Sequence, residues 1–379
     1  QPFWLKLVLA QAQLVWTRRV FYLMLSLKRP FPEAEVSPKK SLKCEGEALS
    51  ADAAAAGEVE VERALGISGL GAARAVHGQV PVIDLSDAAT AGEAIWKAAI
   101  EPGFFIVKNH GIPEEAIDEA FGLSRDFFSQ SREAKEAQSP FEKSMNAGYE
   151  FFSQVRPSTG VPDQKESLQI TAREGCMDGR WPSIPSFQER VNEFMVKSHE
   201  LGCRILSILE PKACPGLVKG TLAAAHRLWV EDGQCTLRLL HYPPVEAAKL
   251  PANYWRAGPH TDWCCVTLLF QRPGNEGLEC APNPKAMKDG APWLKVDPVP
   301  GGIAVNIGDM LGRWSDGRLL SNLHRVRMPT LEESSPPKSR YSLAFFMQAD
   351  KHVRIECETC ETITAGDYIL GRIRSNFAQ

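Results

Sequence analysis

No run of about 20 apolar residues without charge, the length a membrane-spanning helix needs, stands out in the 379-residue chain. The nearest approach is residues 1–32, rich in Leu, Val, Phe and Trp, but Arg18 and Arg19 interrupt it. That segment lacks acids altogether and carries five bases, Lys6, Arg18, Arg19, Lys28 and Arg29. Organelle transit segments are acid-poor and Arg-bearing in this way but richer in Ser. An interfacial amphipathic helix is the other reading, and the segment is set aside from the fold argument. An excess of base is lacking too: 43 Lys and Arg stand against 46 Asp and Glu, a net charge of -3. This excludes the global basic surface of a nucleic-acid binder. A disulfide framework is also missing. The ten cysteines are scattered, with Cys264 and Cys265 adjacent and Cys357 and Cys360 forming a lone CxxC. No second Cys or Cys/His pair at zinc spacing accompanies that motif. We read the cysteines as reduced thiols in a reducing compartment, the cytoplasm. No internal repeat occurs.

What is there is ordinary for a soluble globular chain, 44% hydrophobic and 23% charged, and long enough for one large domain or two modest ones. Residues 1–78 are expected to be an extension and linker: 33–78 hold an Ala run at 53–56, glycines at 57, 66, 69, 71 and 78, and no sustained apolar period. Order is expected from Val80. Val80–Leu85 and Gly103–Lys108 read as strands, with a helix near 88–101 between them. Pro113 opens a further helix at its first turn, with Glu114 and Glu115 at the positive end. In 186–210, Phe187, Val191, Phe194, Leu201, Ile205 and Leu209 recur at helical spacing, and Pro211 is expected to close that helix. A shorter helix is expected near 217–230. From Cys235 the texture changes to short β-type runs, 235–242, 264–270, 302–307, 323–328 and 340–348, separated by turn residues, as in a sandwich or barrel. Residues 362–379 read as a helix docked by Tyr368, Leu370 and Ile373. The expected organisation is therefore a helical domain over 79–230, a β domain over 231–350 and a C-terminal strand and helix over 351–379.

The chemistry concentrates in the β half. His260-Thr-Asp262 precedes the apolar run Val266–Phe270, and residues at i and i+2 of an extended segment face one way. His324 lies in another β-type run, with 61 residues (263 to 323) between it and Asp262. Two imidazoles and one carboxylate leave a face of an octahedral ion open, the facial triad of non-haem Fe(II) oxygenases. A lone HxD is weak, because a hydrogen-bonded pair at a loop is the commoner explanation. The second element strengthens it. Arg340-Tyr-Ser342 again has i, i+2 spacing, and a guanidinium beside a hydroxyl forms a fork for a carboxylate. A dicarboxylic keto acid could chelate iron at one end and lie on this fork at the other.

Several blocks of the chain then resemble a known family. These are Pro81-Val-Ile-Asp-Leu85, Gly103-Phe-Phe-Ile-Val-Lys-Asn-His-Gly-Ile112, Pro162-Asp-Gln-Lys-Glu166, Leu237-Arg-Leu-Leu-His-Tyr-Pro-Pro244, Val305-Asn-Ile-Gly-Asp309, Trp314-Ser-Asp-Gly317 and Ser321-Asn-Leu-His-Arg-Val326. In this order they resemble the 2-oxoglutarate/Fe(II)-dependent dioxygenases of the isopenicillin N synthase-like type, from about Val80 to the C-terminus. The resemblance implies an α+β fold: a double-stranded β-helix (jelly roll) core with an N-terminal helical domain and flanking helices. It implies Fe(2+) on His260, Asp262 and His324, and 2-oxoglutarate held by Arg340, Ser342 and Tyr242. O2 is the co-substrate and ascorbate a candidate reductant. The implied reaction hydroxylates or desaturates a small organic substrate and releases succinate and CO2, with no nucleic acid, membrane span or protein partner required. Two departures from the plant members are Leu240, where they carry Asn, and the 15-residue stretch 325–339 between His324 and Arg340, which is longer than theirs. Oxidases of this fold that do not use 2-oxoglutarate share the triad and use the Arg/Ser pair for other carboxylates. A non-catalytic binding protein of the same fold is the remaining alternative. Of the other residues, His110 is expected to be structural in its turn, His241 to face away from the site, Arg156 to lie at the surface, and Trp263 and Trp314 to be buried or pocket-lining.

Overall fold

In the computed structural model, residues 76–156, 159–245, 254–281, 293–333 and 335–377 are described; the expectations for residues 1–75 fall outside them. The described chain starts with β1 (Val76–Gln79) and β2 (Val82–Asp84). Helix α1 (Ala91–Ile100), β3 (Phe104–Lys108), α2 (Glu114–Phe128), α3 (Arg132–Gln138), β4 (Gly148–Phe151) and β5 (Glu166–Thr171) follow. Next come α4 (Phe187–Ala213), the single turn α5 (Thr221–Ala224) and the strands β6 (Thr236–Tyr242), β7 (Ala257–His260), β8 (Val266–Phe270), β9 (Leu278–Cys280), β10 (Trp293–Lys295) and β11 (Gly302–Ile307). The chain ends with α6 (Asp309–Trp314), β12 (His324–Val326), β13 (Arg340–Met347), β14 (Arg354–Ile355), β15 (Ile363–Thr364) and α7 (Ala365–Phe377).

These strands form an eight-stranded sheet, β2-β3-β11-β8-β13-β6-β5-β4, and a five-stranded sheet, β1-β10-β9-β12-β7, beside the small β14-β15 ribbon. The period of two divides every strand of the larger sheet between two environments. Leu237 and Leu239 of β6, Leu343, Phe345 and Met347 of β13, and Val266, Leu268 and Phe270 of β8 join one core cluster with Ile205, Leu206 and Leu209 of α4. The alternate residues Leu240, Tyr242 and Ala344 join a second cluster with Ala257, Leu278 and Val326 of the smaller sheet. The larger sheet is therefore covered by helices on one face and by the smaller sheet on the other, and the space between the sheets is the interior that carries the site.

Several boundaries differ from the sequence expectation. Order reaches back to Val76, because β1 pairs in parallel with β10. Strand pairing crosses the 230/231 boundary: β5 is hydrogen-bonded along its length to β6, and β3 to β11. Helix α4 continues past Pro211 to Ala213. A proline in the last turn removes one intrahelical bond, but Leu209 and Ala213 stay buried and the Cys214 N–H still donates to the Glu210 carbonyl at 2.9 Å. The helix expected over 217–230 shrinks to α5, where the Glu210 carboxylate captures the N–H groups of Gly220 and Leu222 at 2.5 and 2.7 Å. On α7, Tyr368 is buried and Ile373 packs against the core as expected, but Leu370 is 42% exposed and its neighbour Ile369 is buried in its place. Cys357 and Cys360 are joined by a disulfide, against the expectation of thiols; the other seven described cysteines are free.

Close backbone packing next to the site needs Gly308. Its N–H donates to the Cys265 carbonyl at 3.0 Å, and the Asp309 N–H donates to the Asp262 carbonyl at 2.7 Å. A Cβ on Gly308 would stand 2.1 Å from the Cys264 carbonyl oxygen and 3.0 Å from that of Asp262. Gly308→Ala is therefore expected to cost roughly 1–3 kcal/mol, the usual penalty of overpacking, read as a lower midpoint in denaturant unfolding. An unchanged midpoint would contradict this close approach.

Candidate active site

Strands β7 and β12 are antiparallel neighbours with His260 directly opposite His324. Asp262 follows two residues after His260, and ligand atoms of His260, Asp262 and His324 all lie within 4.8 Å of one another, all three residues buried. Their polar contacts fix which atoms are left over. The His260 Nδ1–H donates to the Gly258 carbonyl at 2.7 Å and the His324 Nδ1–H to the Asn322 carbonyl at 3.2 Å. Both imidazoles thus keep Nε2 as a free lone pair, the arrangement typical of metal-ligating histidines. Asp262 Oδ2 accepts from Thr267 Oγ1 at 2.7 Å and Asn306 Nδ2 at 2.8 Å, which leaves Oδ1, 3.7 Å from His324 Nε2. Burial, with Arg156 and His324 nearby, holds the His260 imidazole well below its ordinary pKa and therefore neutral. Burial works against the Asp262 carboxylate, but His324 and the hydrogen bonds from Thr267 and Asn306 outweigh it and hold its pKa below the usual value. Two neutral imidazoles and one carboxylate, each oriented by a second partner, fit a divalent transition metal with open positions.

The larger sheet supplies the second half of the site. Arg340 and Tyr242 are register partners across β13 and β6, as are Ser342 and Leu240. The Arg340 guanidinium lies over the Tyr242 ring at 4.7 Å. It donates to the Asn275 carbonyl at 2.9 Å, to Gln271 Oε1 at 3.1 Å and to Ser342 Oγ at 3.3 Å. It is 1% exposed, yet no carboxylate of the described residues pairs with it. Glu276 acts on it only through space; a buried guanidinium without a carboxylate in contact is costly, so this position fits an acid brought by a ligand. Leu240, which replaces the Asn of the plant members, is one of the apolar side chains of the same wall.

Both halves line one cavity of about 150 Å³. The stretch from β4 to β5 and the C-terminal helix contribute to it, through Glu150, Gln154, Arg156 and Lys165 and through Ile369 and Ile373. Trp263 lines it; Trp314 is buried in the helix-side core instead. Arg156 is not a surface residue. It reaches over the smaller sheet, with its Nε 2.9 Å from Asp163 Oδ2, which also accepts from Lys165 Nζ at 2.7 Å. Asp163 Oδ1 accepts the Gly258 N–H at 2.9 Å, so this carboxylate ties the loop to the strand that ends in His260. His110 is a turn residue whose Nδ1 accepts the Ile112 N–H, as expected. His241 faces the helices and bonds Glu166 at 2.6 Å and Ser339 at 2.9 Å. The C-terminal helix is anchored by Arg372, which is 1% exposed and 3.1 Å from Asp309 Oδ2; Thr261 Oγ1 donates to the same carboxylate oxygen at 3.0 Å.

Sequence reasoning missed Asp163, Lys165, Arg238, Asn306 and Thr267. For Arg238 and Thr267 a signal existed: each is an even number of residues from a residue of the interior, Tyr242 in one strand and Leu269 in the other.

A buried metal-type triad and an acid-seeking arginine between the sheets of a jelly roll define the class of non-haem Fe(II) oxygenases that take a keto acid. Comparison with known proteins agrees. The model of the 2OG-Fe(II) oxygenase superfamily matches residues 233–349, and that described as non-haem dioxygenase in morphine synthesis N-terminal matches residues 80–184. The UPF0676 protein C1494.01 of Schizosaccharomyces pombe is 31% identical over 314 residues, covering 79% of this chain and 93% of that protein. The 2-oxoglutarate-dependent dioxygenase htyE of Aspergillus rugulosus is 30% identical over 294 residues, covering 70% and 85%. Among solved structures, that of a full-length Neurospora crassa protein in complex with alpha-KG superposes with a TM-score of 0.65 at 25% identity, covering 79% of this chain and 96% of that one. The chain belongs to the 2OG-Fe(II) oxygenase superfamily and is a 2-oxoglutarate-dependent dioxygenase, an oxidoreductase of the isopenicillin N synthase-like type. Its cofactors are Fe(2+) and 2-oxoglutarate.

Asp163 gives the site a measurable pH signature. Burial opposes its ionisation, but Arg156, Lys165 and the Gly258 N–H hold its carboxyl below the usual aspartate value of 3.8. With the folded pKa the lower one, its contribution is full above the unfolded value and disappears as pH falls through the folded value. Asp163→Asn strands two buried cations and is expected to cost about 3–5 kcal/mol at neutral pH. It should also remove part of the stability loss below about pH 4. Urea unfolding of both proteins from about pH 7 down to about pH 3 measures both effects.

Proposed function

We propose that His260 and His324 through Nε2 and Asp262 through Oδ1 hold the Fe(II), and that Arg340, Ser342 and Tyr242 hold the distal carboxylate of 2-oxoglutarate. The observation that carries this reading is the fully buried Arg340 guanidinium with no carboxylate partner among the described residues, in the same cavity as the triad. When bound together, iron and 2-oxoglutarate supply the activation of O2 that oxidises a substrate C–H bond, with release of succinate and CO2. The chain's own contributions are physical. Gly258 and Asn322 hold the two imidazoles in one tautomer, and Thr267 and Asn306 hold Asp262 ionised and oriented. Leu240, Leu269, Leu278 and Val326 surround the keto acid with apolar wall and exclude water from it. Gln154, Arg156 and α7 form the side from which a small-molecule substrate meets the metal.

Residues 231–350 are the catalytic region in this reading, and residues 79–230 and the C-terminal strand and helix from 351 supply its walls. The same-fold oxidases that do not use 2-oxoglutarate are not favoured, since 2-oxoglutarate use is named for htyE and alpha-KG is bound in the Neurospora crassa structure. We place the protein in the cytoplasm, acting without nucleic acid or a protein partner. The net charge of -3 and seven free described thiols support this, and no helix among the described residues is long and apolar enough to cross a membrane.

Arg340→Gln separates the two halves of the site. Calorimetric titration without oxygen is expected to show Fe(II) binding retained and 2-oxoglutarate affinity reduced roughly 10–100-fold, the worth of one charged hydrogen-bonded contact. His260→Ala is expected to lose the metal. Unchanged 2-oxoglutarate affinity in Arg340→Gln would overturn the assignment.

A further inference from the structure

Three arginines line the cavity: Arg156, Arg238 and Arg340. Arg156 has a carboxylate partner in Asp163, and Arg340 is assigned to 2-oxoglutarate. Arg238 has neither. Its hydrogen bond is to a neutral group, from Nη2 to Gln169 Oε1 at 2.6 Å, and its Nε is buried with no partner. Its guanidinium lies 5.4 Å from the centre of the Phe346 ring, itself part of the cavity wall. The closest acid on this side, Glu150, stands one step away: it accepts from the Gln169 amide and reaches Arg238 only through space. Burial lowers the pKa of this guanidinium, so the wall carries an incompletely compensated cation.

Its placement separates it from the keto acid. Arg238 shares the interior face of β6 with Leu240 and Tyr242, and it pairs with Ala344 where Tyr242 pairs with Arg340. The Cα atoms of the two arginines therefore stand four residues apart on one strand pair, about 13 Å at the usual rise per residue. Arg238 is still near enough to the triad for the Asp262 charge to act on it. A group bound at Arg238 is thus within reach of the metal site without competing for Arg340.

The charge balance of the loaded cavity points to the same kind of group. Ferrous iron and Arg340 offset 2-oxoglutarate and Asp262. Of the cations Arg156, Lys165 and Arg238, the first two bond to Asp163, and Arg238 has only Glu150, held one step away through Gln169. Arg238 is the one of the three with no acid in contact, and a carboxylate on the substrate supplies one.

Resting on the proposed function, we propose that Arg238 anchors a carboxylate of the prime substrate, which is therefore a small organic acid. Its apolar body lies against Phe346, with Ile369 and Ile373 of α7 in the same cavity. A guanidinium pairs well with a carboxylate, and Arg238 lines the cavity with its Nη2 held by Gln169. Gln169 is then a positioning residue that holds Arg238 against the wall.

The test uses the full chain loaded with Fe(II) and saturating 2-oxoglutarate in the absence of oxygen. Hexanoate, benzoate and phenylacetate are titrated calorimetrically beside their primary amides. At least one acid is expected to bind tenfold or more tightly than its amide. Arg238→Gln should abolish that preference and Arg238→Lys should keep part of it, with 2-oxoglutarate affinity unchanged in both. The proposal is overturned if no acid binds, if acids and amides bind equally, or if the preference survives in Arg238→Gln. Should Arg238→Gln fail to fold, the acid–amide comparison in the wild type and Arg238→Lys decides. Failure of 2-oxoglutarate itself to bind, seen before any acid is added, would instead count against the proposed function.

Discussion

The antiparallel pairing of β7 with β12 places His260 opposite His324 with ring centroids 4.2 Å apart, and the rest of the site depends on that register. Slipping either strand by one residue would turn its histidine to the other face. Much of the surrounding structure fixes the pairing. Asp163 binds the Gly258 N–H, Asn322 bridges the carbonyls of Pro102 and Ala281 through its amide, and Asp309 joins Thr261 to the C-terminal helix through Arg372. Loop, strand and terminal helix thus meet on the short stretch from Gly258 to Asp262.

The second constraint is electrostatic. A cavity between two sheets must either pair its charges or supply them to a ligand, because unpaired buried charge is expensive. Here Asp262 is satisfied by Thr267 and Asn306, and Asp163 by Arg156 and Lys165. Arg340 and Arg238 are not paired with acids. Burial lowers the Lys165 pKa to about 8 despite Asp163, which shows how far the interior disfavours positive charge. In the proposed reading, the acids that pair with these two arginines arrive with the ligands.

The His260–Asp262 pair and the Arg340–Ser342 pair were legible in the sequence as i, i+2 spacings in strongly β-type runs, and the order of the surrounding motifs joined His324 to the first. The order of motifs pointed to the fold. What stayed hidden depended on partners distant in sequence. Strands β7, β9 and β10 are three or four residues long, too short for a periodic signal, and exist through their neighbours. Arg156 read as a surface residue because nothing local reveals that Asp163 folds it inward. Arg238, flanked by leucines, carried its signal only through its spacing from Tyr242. On α7 the apolar residues Ile369 and Leu370 are adjacent, and the packing of the helix against the cavity, not its composition, buries the first and exposes the second.

The central claim is that one cavity holds iron on His260, Asp262 and His324 and 2-oxoglutarate between that iron and Arg340. Its most direct measurement is the visible absorption of the Fe(II)-loaded protein, without oxygen, as 2-oxoglutarate is added. A metal-to-ligand charge-transfer band that saturates with one equivalent of 2-oxoglutarate, and that is missing in His260→Ala, is the expected result. Bound iron with no such band would contradict it.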